Sequence, residues 1–283
     1  MQFIERSVYT GPNLYGLKPM IRLRLDLGAL EDWPTSRLPG FTDALLEKLP
    51  GLAAHGCSYR APGGLVQRMR DGTWAGHVIE HIAIELQSMA GAAVSRGKTR
   101  SVKGQPGVYD ILYRYADRVS GLAAGRAAIA LADALLPRDL QGVKGLDRIA
   151  EPLADDPADI DAIVSALRIL VKKNGFGPST SALVNEAKRR GIPVMRLDEA
   201  SLVQFGLGSR QRRIRASVTG ATSLIGAELA GNKAAAKALL EEAGLPVPTG
   251  RVARSMDEAL LAARQLRWPV VVKPLSGNHG RGV

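Results

Sequence analysis

The sequence predicts an α/β protein, and three observations carry that prediction. Helical periodicities alternate with short β-branched runs through the second half of the chain, an order that layers helices on a sheet. Residues 20–30, MIRLRLDLGAL, alternate apolar and charged side chains as a half-buried strand does. Clusters of Gly and Pro punctuate the periodic segments as turns.

In chain order, the strand at 20–30 puts Arg22, Arg24 and Asp26 on one face. A helix is expected from Thr42 to Leu49, ended by Pro50-Gly51, and GCSYRAPGGL (56–65) has turn chemistry. Trp74 to Met89 predicts an amphipathic helix with Thr73 to cap it, Gly91 to end it, and Val78, Ile82, Leu86 and Met89 as its apolar stripe. GVYDILYRYA (107–116) predicts a buried strand, and Leu122 to Leu136 a packed helix. From Arg138 to Pro157 periodicity fades into Gly, Pro and Asp, which places a domain boundary there: 1–158, then 159–283. Beyond it come a helix over 159–177, a helix over Ser181 to Arg190, a strand at 192–197, and two strands around a turn in 201–219. A helix at 228–244, a strand at LPVPTGRVA, a helix at 256–267 and a buried strand at WPVVVKPL (268–275) follow.

With 283 residues, 46% of them hydrophobic and 23% charged, the chain can bury two ordinary cores and is not a disordered polymer. No apolar run approaches the roughly 20 residues that span a bilayer, and the opening MQFIERSVYTGPN lacks the apolar core of a signal peptide. A cytoplasmic location without a membrane partner is the expectation. The net charge of +11 favours a polyanionic partner, but aromatic residues total 5% and the basic residues are dispersed, which argues against nucleic acid. Cys57 is the only cysteine, so a disulfide within the chain and a thiolate-rich metal site are excluded, and a metal is expected to lean on His and carboxylate.

Two segments carry chemistry. At the far end, a β-branched run delivers Lys273, followed by Ser276, Gly277, Asn278, His279, Gly280, Arg281 and Gly282. Glycines let backbone amides approach phosphate oxygens, and Lys and Arg add charged donors. The pattern is neither a P-loop nor a dinucleotide fingerprint, and an ordinary hairpin is the competing reading.

The other segment is His77-Val78-Ile79-Glu80-His81, an H-x-x-E-H order. At 100° per residue the two imidazoles lie about 40° apart on one helix face, so both reach one Zn²⁺, with Glu80 beside them as a general base. Two of the four histidines of the chain sit at this spacing. The competing reading is a polar, solvent-facing stripe. Glu85, one turn on, is a candidate third ligand that equally suits packing or capping.

Arg210, Arg212, Arg213 and Arg215 suit carboxylates or a solvated hairpin alike. Trp74 is expected to anchor the helix start rather than stack on a ligand. His55 and Cys57 suggest a nucleophile pair, but without an orienting acid the cysteine is expected to be structural.

The runs GPNLYGL (11–17), GTWAGHVIEHIAIELQ (72–87), GPSTSALVNEAKRRGIPVMRL (177–197), SLVQFGLGSRQRRIRASVT (201–219) and KPLSGNHGRGV (273–283) together resemble the cyanophycin synthetases. The resemblance implies an α+β front domain followed by the start of an ATP-grasp domain, in which Lys233, Lys273 and residues Ser276 to Gly282 hold the nucleotide. It implies ATP and Mg²⁺ as cofactors, acyl-phosphate chemistry joining Asp and Arg into cyanophycin, and a homo-oligomer. It also implies that the front domain holds the polymer, either as a non-catalytic binding module or with a Zn²⁺ hydrolase site at the histidine helix. Ser276 and Asn232 stand where the family usually carries Asp, which suits a divergent paralogue such as the enzymes that join preformed Asp-Arg dipeptides. Family members also often carry acidic residues after the tyrosine matching Tyr115, where this chain has Ala116 and Asp117. The Mg²⁺-binding carboxylates are expected beyond residue 283, so these residues alone are not expected to act as a ligase.

Overall fold

The computed structural model describes residues 1–276. The chain divides into two compact units, Met1–Ser217 and Val218–Val283.

The first unit opens with β1 (Gln2–Tyr9), β2 (Met20–Asp26), α1 (Phe41–Lys48), α2 (Gly64–Asp71) and α3 (Ala75–Met89), then β3 (Gly97–Ser101), β4 (Val108–Arg114) and α4 (Arg118–Ala134). The strands form an antiparallel sheet in the order β1-β2-β4-β3. Period-2 alternation sends Ile21, Leu23, Leu25, Ile111 and Tyr113 to the buried side, each fully enclosed. On the other face Arg24 grips Asp110 through two hydrogen bonds of 2.8 and 3.0 Å, and Arg22 reaches Glu5 at 2.7 Å. The predicted charged face of β2 is thus an ion-pair network across three strands.

α3 packs on β4, β3 and α4, and α5 (Ile160–Asn174) closes the core behind α3 and α4. α4 comes close to the sheet because it carries Gly121 and Gly125 one turn apart. A Cβ on Gly125 would fall 1.9 Å from the Tyr113 hydroxyl, which itself donates to the Gly121 carbonyl at 3.0 Å. α5 starts as predicted, with Asp159 accepting from the Ala162 N–H at 2.9 Å. α6 (Pro178–Arg189), β5 (Val194–Arg196), β6 (Leu202–Phe205) and β7 (Arg212–Arg215) follow. The strands pair antiparallel around a small core of Val184, Val203 and Ile214.

Three elements of the first unit escape the sequence pattern. β3 reads GKTRS and α2 reads GLVQRMRD, both too polar for a clear period, and β1 is likewise mixed. β3 pairs only with β4, so its ladder needs no apolar alternation of its own. α2 buries Leu65 and Met69, one turn apart, and that pair suffices to seat it.

The second unit contains a two-residue strand, β8 (Val218–Thr219), and three helices: α7 (Leu224–Gly231), α8 (Lys233–Glu242) and α9 (Met256–Leu266). The single helix expected at 228–244 is two, broken at Asn232, whose side chain accepts from the Ala234 and Ala235 N–H groups at 3.1 Å and restarts the helix. The strands expected at LPVPTGRVA and WPVVVKPL do not form, and Val271 and Val272 are more than two-thirds exposed. Within this unit, among the described residues, neither run has a strand alongside to supply a ladder, and β-branched composition alone does not make one.

Candidate metal centre

The polar stripe of α3 does not face water. Glu80 is 4% exposed and His81 8%, because β3 and the turns at Pro50–Ala54 and Cys57–Tyr59 cover that side of the helix. The competing reading of a polar, solvent-facing stripe is set aside here: α3 is buried on nearly every side, and its polar stripe lines a cavity of about 1010 Å³.

The local sequence explains how the side chains arrive. Trp74 rather than Thr73 occupies the cap position of α3, and its indole N–H donates to the Glu31 carbonyl at 3.0 Å, anchoring the helix start. Thr73, freed from capping, turns its hydroxyl to His77 Nδ1 at 3.0 Å. His55 ends the turn before α2, with its N–H donating to the Leu52 carbonyl and its own carbonyl accepting from the Leu65 N–H. Two residues on, Cys57 adopts a left-handed backbone with φ +47°, a strained conformation for a residue with a side chain. Its Sγ lies 3.2 Å from His77 Nε2.

Cys57, His77 and His81 bring one donor atom each to within 4.8 Å of one another. The donor set fits a zinc ion by chemistry, since a thiolate with two imidazoles is a borderline-soft N/S environment that leaves a fourth position open. Burial suits the rings to this task. Desolvation, with the Arg68 charge adding to it, pushes His77 down to about 4. Desolvation, aided by His77 and His55, pushes His81 down to about 3. Both rings are therefore neutral and able to donate a lone pair at physiological pH.

Glu80 projects beside them. Burial raises its carboxyl to about 8 against the opposing hydrogen bond from Thr99, whose hydroxyl donates at 2.8 Å. Gly97 on β3 makes the space: a Cβ there would fall 2.5 Å from Glu80 Cγ and 2.6 Å from its Oε1. The cavity wall also carries Arg60, Arg68, Arg96 and Lys98, all exposed. None of the four forms an ion pair among the described residues. Glu80 is the sole carboxylate among the lining residues.

Residues 22–137 match the cyanophycin synthase-like N-terminal domain, a span that holds every residue of this cluster. That span is similar to the domain, and relatives match the rest of the chain as well. Over its whole length the chain is 38% identical to the cyanophycin synthetases of Geminocystis herdmanii and Trichormus variabilis, and 37% to that of Synechocystis. It spans about three-tenths of the length of these curated relatives, 31%, 30% and 31% respectively.

Within the matched span, the structure brings together His77, His81 and Glu80, and adds two residues that sequence reasoning set aside. Cys57 joins the donor set, where a metal held by His and carboxylate was expected. His55 touches His81 instead of serving a thiol nucleophile, with 2.9 Å between the Nδ1 atoms. The pair His55-x-Cys57 in a Gly-flanked turn was the available signal; what it lacked was any indication that the turn folds over α3. Glu85 is not in the donor set and bonds His55 Nε2 at 2.9 Å. Asp117 is buried as the cap of α4, accepting from the Ser120 N–H at 2.9 Å, and takes no part in the cavity.

The expected nucleotide residues fall in the second unit. Lys233 opens α8 and its N–H donates to the Leu275 carbonyl at 3.1 Å, while Asn232 and Ser276 form an isolated bridge. The chain thus returns to the start of α8 as it approaches the glycine loop. Lys273 and Ser276 are exposed. Gly277, Asn278, His279, Gly280, Arg281 and Gly282 lie outside the described residues. Of the arginine cluster, Arg213 donates to Gln204 on the neighbouring strand, and Arg215 pairs at 3.1 Å with Asp198 in the turn between β5 and β6. No helix of the described residues is long and apolar enough to cross a membrane.

Proposed function

We propose that the first unit houses a metal-dependent amide hydrolase acting on cyanophycin, within the N-terminal portion of a cyanophycin-synthesising enzyme. One observation carries the reading: Cys57, His77 and His81 converge within 4.8 Å beside a buried carboxyl poised near neutral pH. A divalent ion at these donors would supply Lewis-acid polarisation of the scissile carbonyl. Glu80 does the proton work. As the carboxylate it takes a proton from the attacking water, and as the acid it returns that proton to the departing amine nitrogen as the C–N bond breaks. Thr99 and the space at Gly97 hold the carboxyl in place through both halves.

The substrate reading rests on the similarity to cyanophycin synthetases, whose polymer carries arginine side chains on an aspartate backbone and so offers carboxylate as well as guanidinium groups. Arg60, Arg68, Arg96 and Lys98 around the cavity can pair with those carboxylates. Cyanophycin incubated with this chain is expected to release soluble fragments, and with Glu80→Gln none. Binding without cleavage by both proteins would instead make the domain a polymer-holding module.

For the whole protein, the similarity to cyanophycin synthetases supports an ATP- and Mg²⁺-dependent ligase that joins Asp and Arg through an acyl phosphate, a cytoplasmic homo-oligomer, with Lys233, Lys273 and the loop Ser276–Gly282 at the nucleotide. Its test is protection: ATP should shield Lys233 and Lys273 from amine-reactive labelling in the protein with its full downstream sequence. Labelling indifferent to ATP would remove the assignment.

A further inference from the structure

Outside the donor set, a chain of contacts leads from the cavity wall at His81 and His55 to Glu85 behind it, and the hydrolytic chemistry above does not use it. Glu85 Oε2 lies 2.9 Å from His55 Nε2, and His55 Nδ1 lies 2.9 Å from His81 Nδ1. His55 and Glu85 are largely enclosed, with side chains 17% and 14% exposed. The seat for Glu85 is built by a glycine: a Cβ on Gly51 would fall 1.8 Å from Glu85 Oε1 and 2.8 Å from its Cδ. Pro50-Gly51 therefore not only ends α1 but makes room for this carboxylate beside His55.

Donor and acceptor logic orders the protons along this chain. A carboxylate only accepts, so Glu85 requires the proton of His55 on Nε2. A singly protonated His55 ring with its proton there offers a lone pair at Nδ1, which pairs with a proton of His81 on its own Nδ1. His81 is left with a lone pair on Nε2, the nitrogen on the far side of the ring. Thr73 acts similarly on His77, engaging Nδ1 and leaving Nε2 beside Cys57 Sγ.

We infer that Glu85 and His55 are positioning residues that fix the tautomer and ring orientation of His81, so that its Nε2 is presented to the metal donor set. The inference rests on the metal reading above and adds to it a carboxylate–histidine–histidine relay in place of the single carboxylate or carbonyl that commonly supports a metal-bound histidine. Glu85 acts through two rings and touches neither metal nor substrate.

The test uses the whole chain and zinc alone. Glu85→Gln keeps the side-chain volume but admits a donor toward His55, which permits the opposite tautomer in both rings. Relative to wild type it should weaken zinc affinity by roughly 10- to 100-fold. His55→Ala should do the same, and the double variant should be no weaker than His55→Ala, because the two residues act as one unit. Gly51→Ala, which leaves both residues in the sequence but fills the seat of Glu85, should reproduce the loss. In metal-free protein, ¹⁵N spectra of His81 should show the proton on Nδ1 in wild type and a shift toward Nε2 in Glu85→Gln, a readout that general destabilisation would not move. Wild-type zinc affinity and an unchanged His81 tautomer in Glu85→Gln would overturn the relay while leaving the metal site standing. Absence of zinc binding by wild type would overturn the metal reading, and the relay with it. Should His55→Ala fail to fold, the near-isosteric Glu85→Gln decides alone.

Discussion

Burial sets the proton inventory of this cavity, and the consequences can be read at single residues. Glu80 has its folded pKa raised from the ordinary 4.5 to about 8, so it binds its proton more tightly folded than unfolded. The stability tied to it is fully present below about 4.5 and is lost as pH rises through 8. His77 and His81 are shifted the other way, from 6.5 to about 4 and about 3, so their contribution is present above 6.5 and lost as pH falls. Metal-free protein is therefore expected to melt at highest temperature between these limbs. Glu80→Gln should abolish the alkaline loss, a gain on the order of a few kcal/mol at pH 9, with little change at pH 4. Thermal melts across pH in the presence of chelator check this; parallel curves for the two proteins would sink the burial argument. Cys57→Ser should weaken zinc binding and remove the sulfur-to-cobalt charge-transfer band of the cobalt-substituted protein, whereas His77→Ala and His81→Ala should each leave negligible zinc in the purified chain. Metal analysis and near-ultraviolet absorption decide between a thiolate ligand and a bystander. For the cation wall, Arg96→Gln combined with Lys98→Gln should raise KM for cyanophycin several-fold while leaving kcat near wild type, since these side chains hold the polymer away from the reacting bond.

At the scale of elements, the site exists because three backbone segments meet α3 closely, and glycines set how closely. β3 passes the helix at Gly97, and an added methyl there would meet both the Glu80 side chain and the Leu112 carbonyl at 2.6 Å or less. Gly97→Ala should cost about 1–3 kcal/mol of stability and should lower hydrolytic activity by displacing Glu80. Denaturant melts and a fragment-release assay measure the two effects separately. If activity survives at full rate, Glu80 does not need the position it holds here. α4 uses the same device at Gly121 and Gly125, but against Tyr113, Tyr115 and Ile21, and so serves the core rather than the cavity. Asn232 shows how a departure from the family pattern can be locally sound: its side-chain oxygen caps α8 with two hydrogen bonds, and capping does not require a carboxylate.

For the whole molecule, the division at Ser217 puts Cys57, His77 and His81 in one unit and the residues expected at the nucleotide in the other. Every member of the cavity, its cation wall and the relay belongs to Met1–Ser217, which has its own core. A chain ended at Ser217 should therefore fold, bind zinc with the affinity of the 283-residue chain and release the same fragments from cyanophycin. Loss of zinc binding on that truncation would show that the site needs the second unit.

The sequence by itself determined the long elements and the pair of histidines. β2, β4, α1, α3, α4 and α5 follow from period-2 or period-3.6 patterns with recognisable ends, because such a pattern is local to the element. His77, Glu80 and His81 were legible for the same reason, since one helical turn fixes their mutual spacing. The tertiary structure alone decided what surrounds them. Cys57 lies twenty residues before His77, and its approach depends on a left-handed turn folding over α3. The links from Gly51 to Glu85 and from Gly97 to Glu80 are steric and cross between elements, and no periodicity encodes them. The fate of 268–275 was also decided beyond the local pattern. A β-branched run becomes a strand only where a neighbour offers a ladder, and a polar helix face becomes a site only where something folds over it.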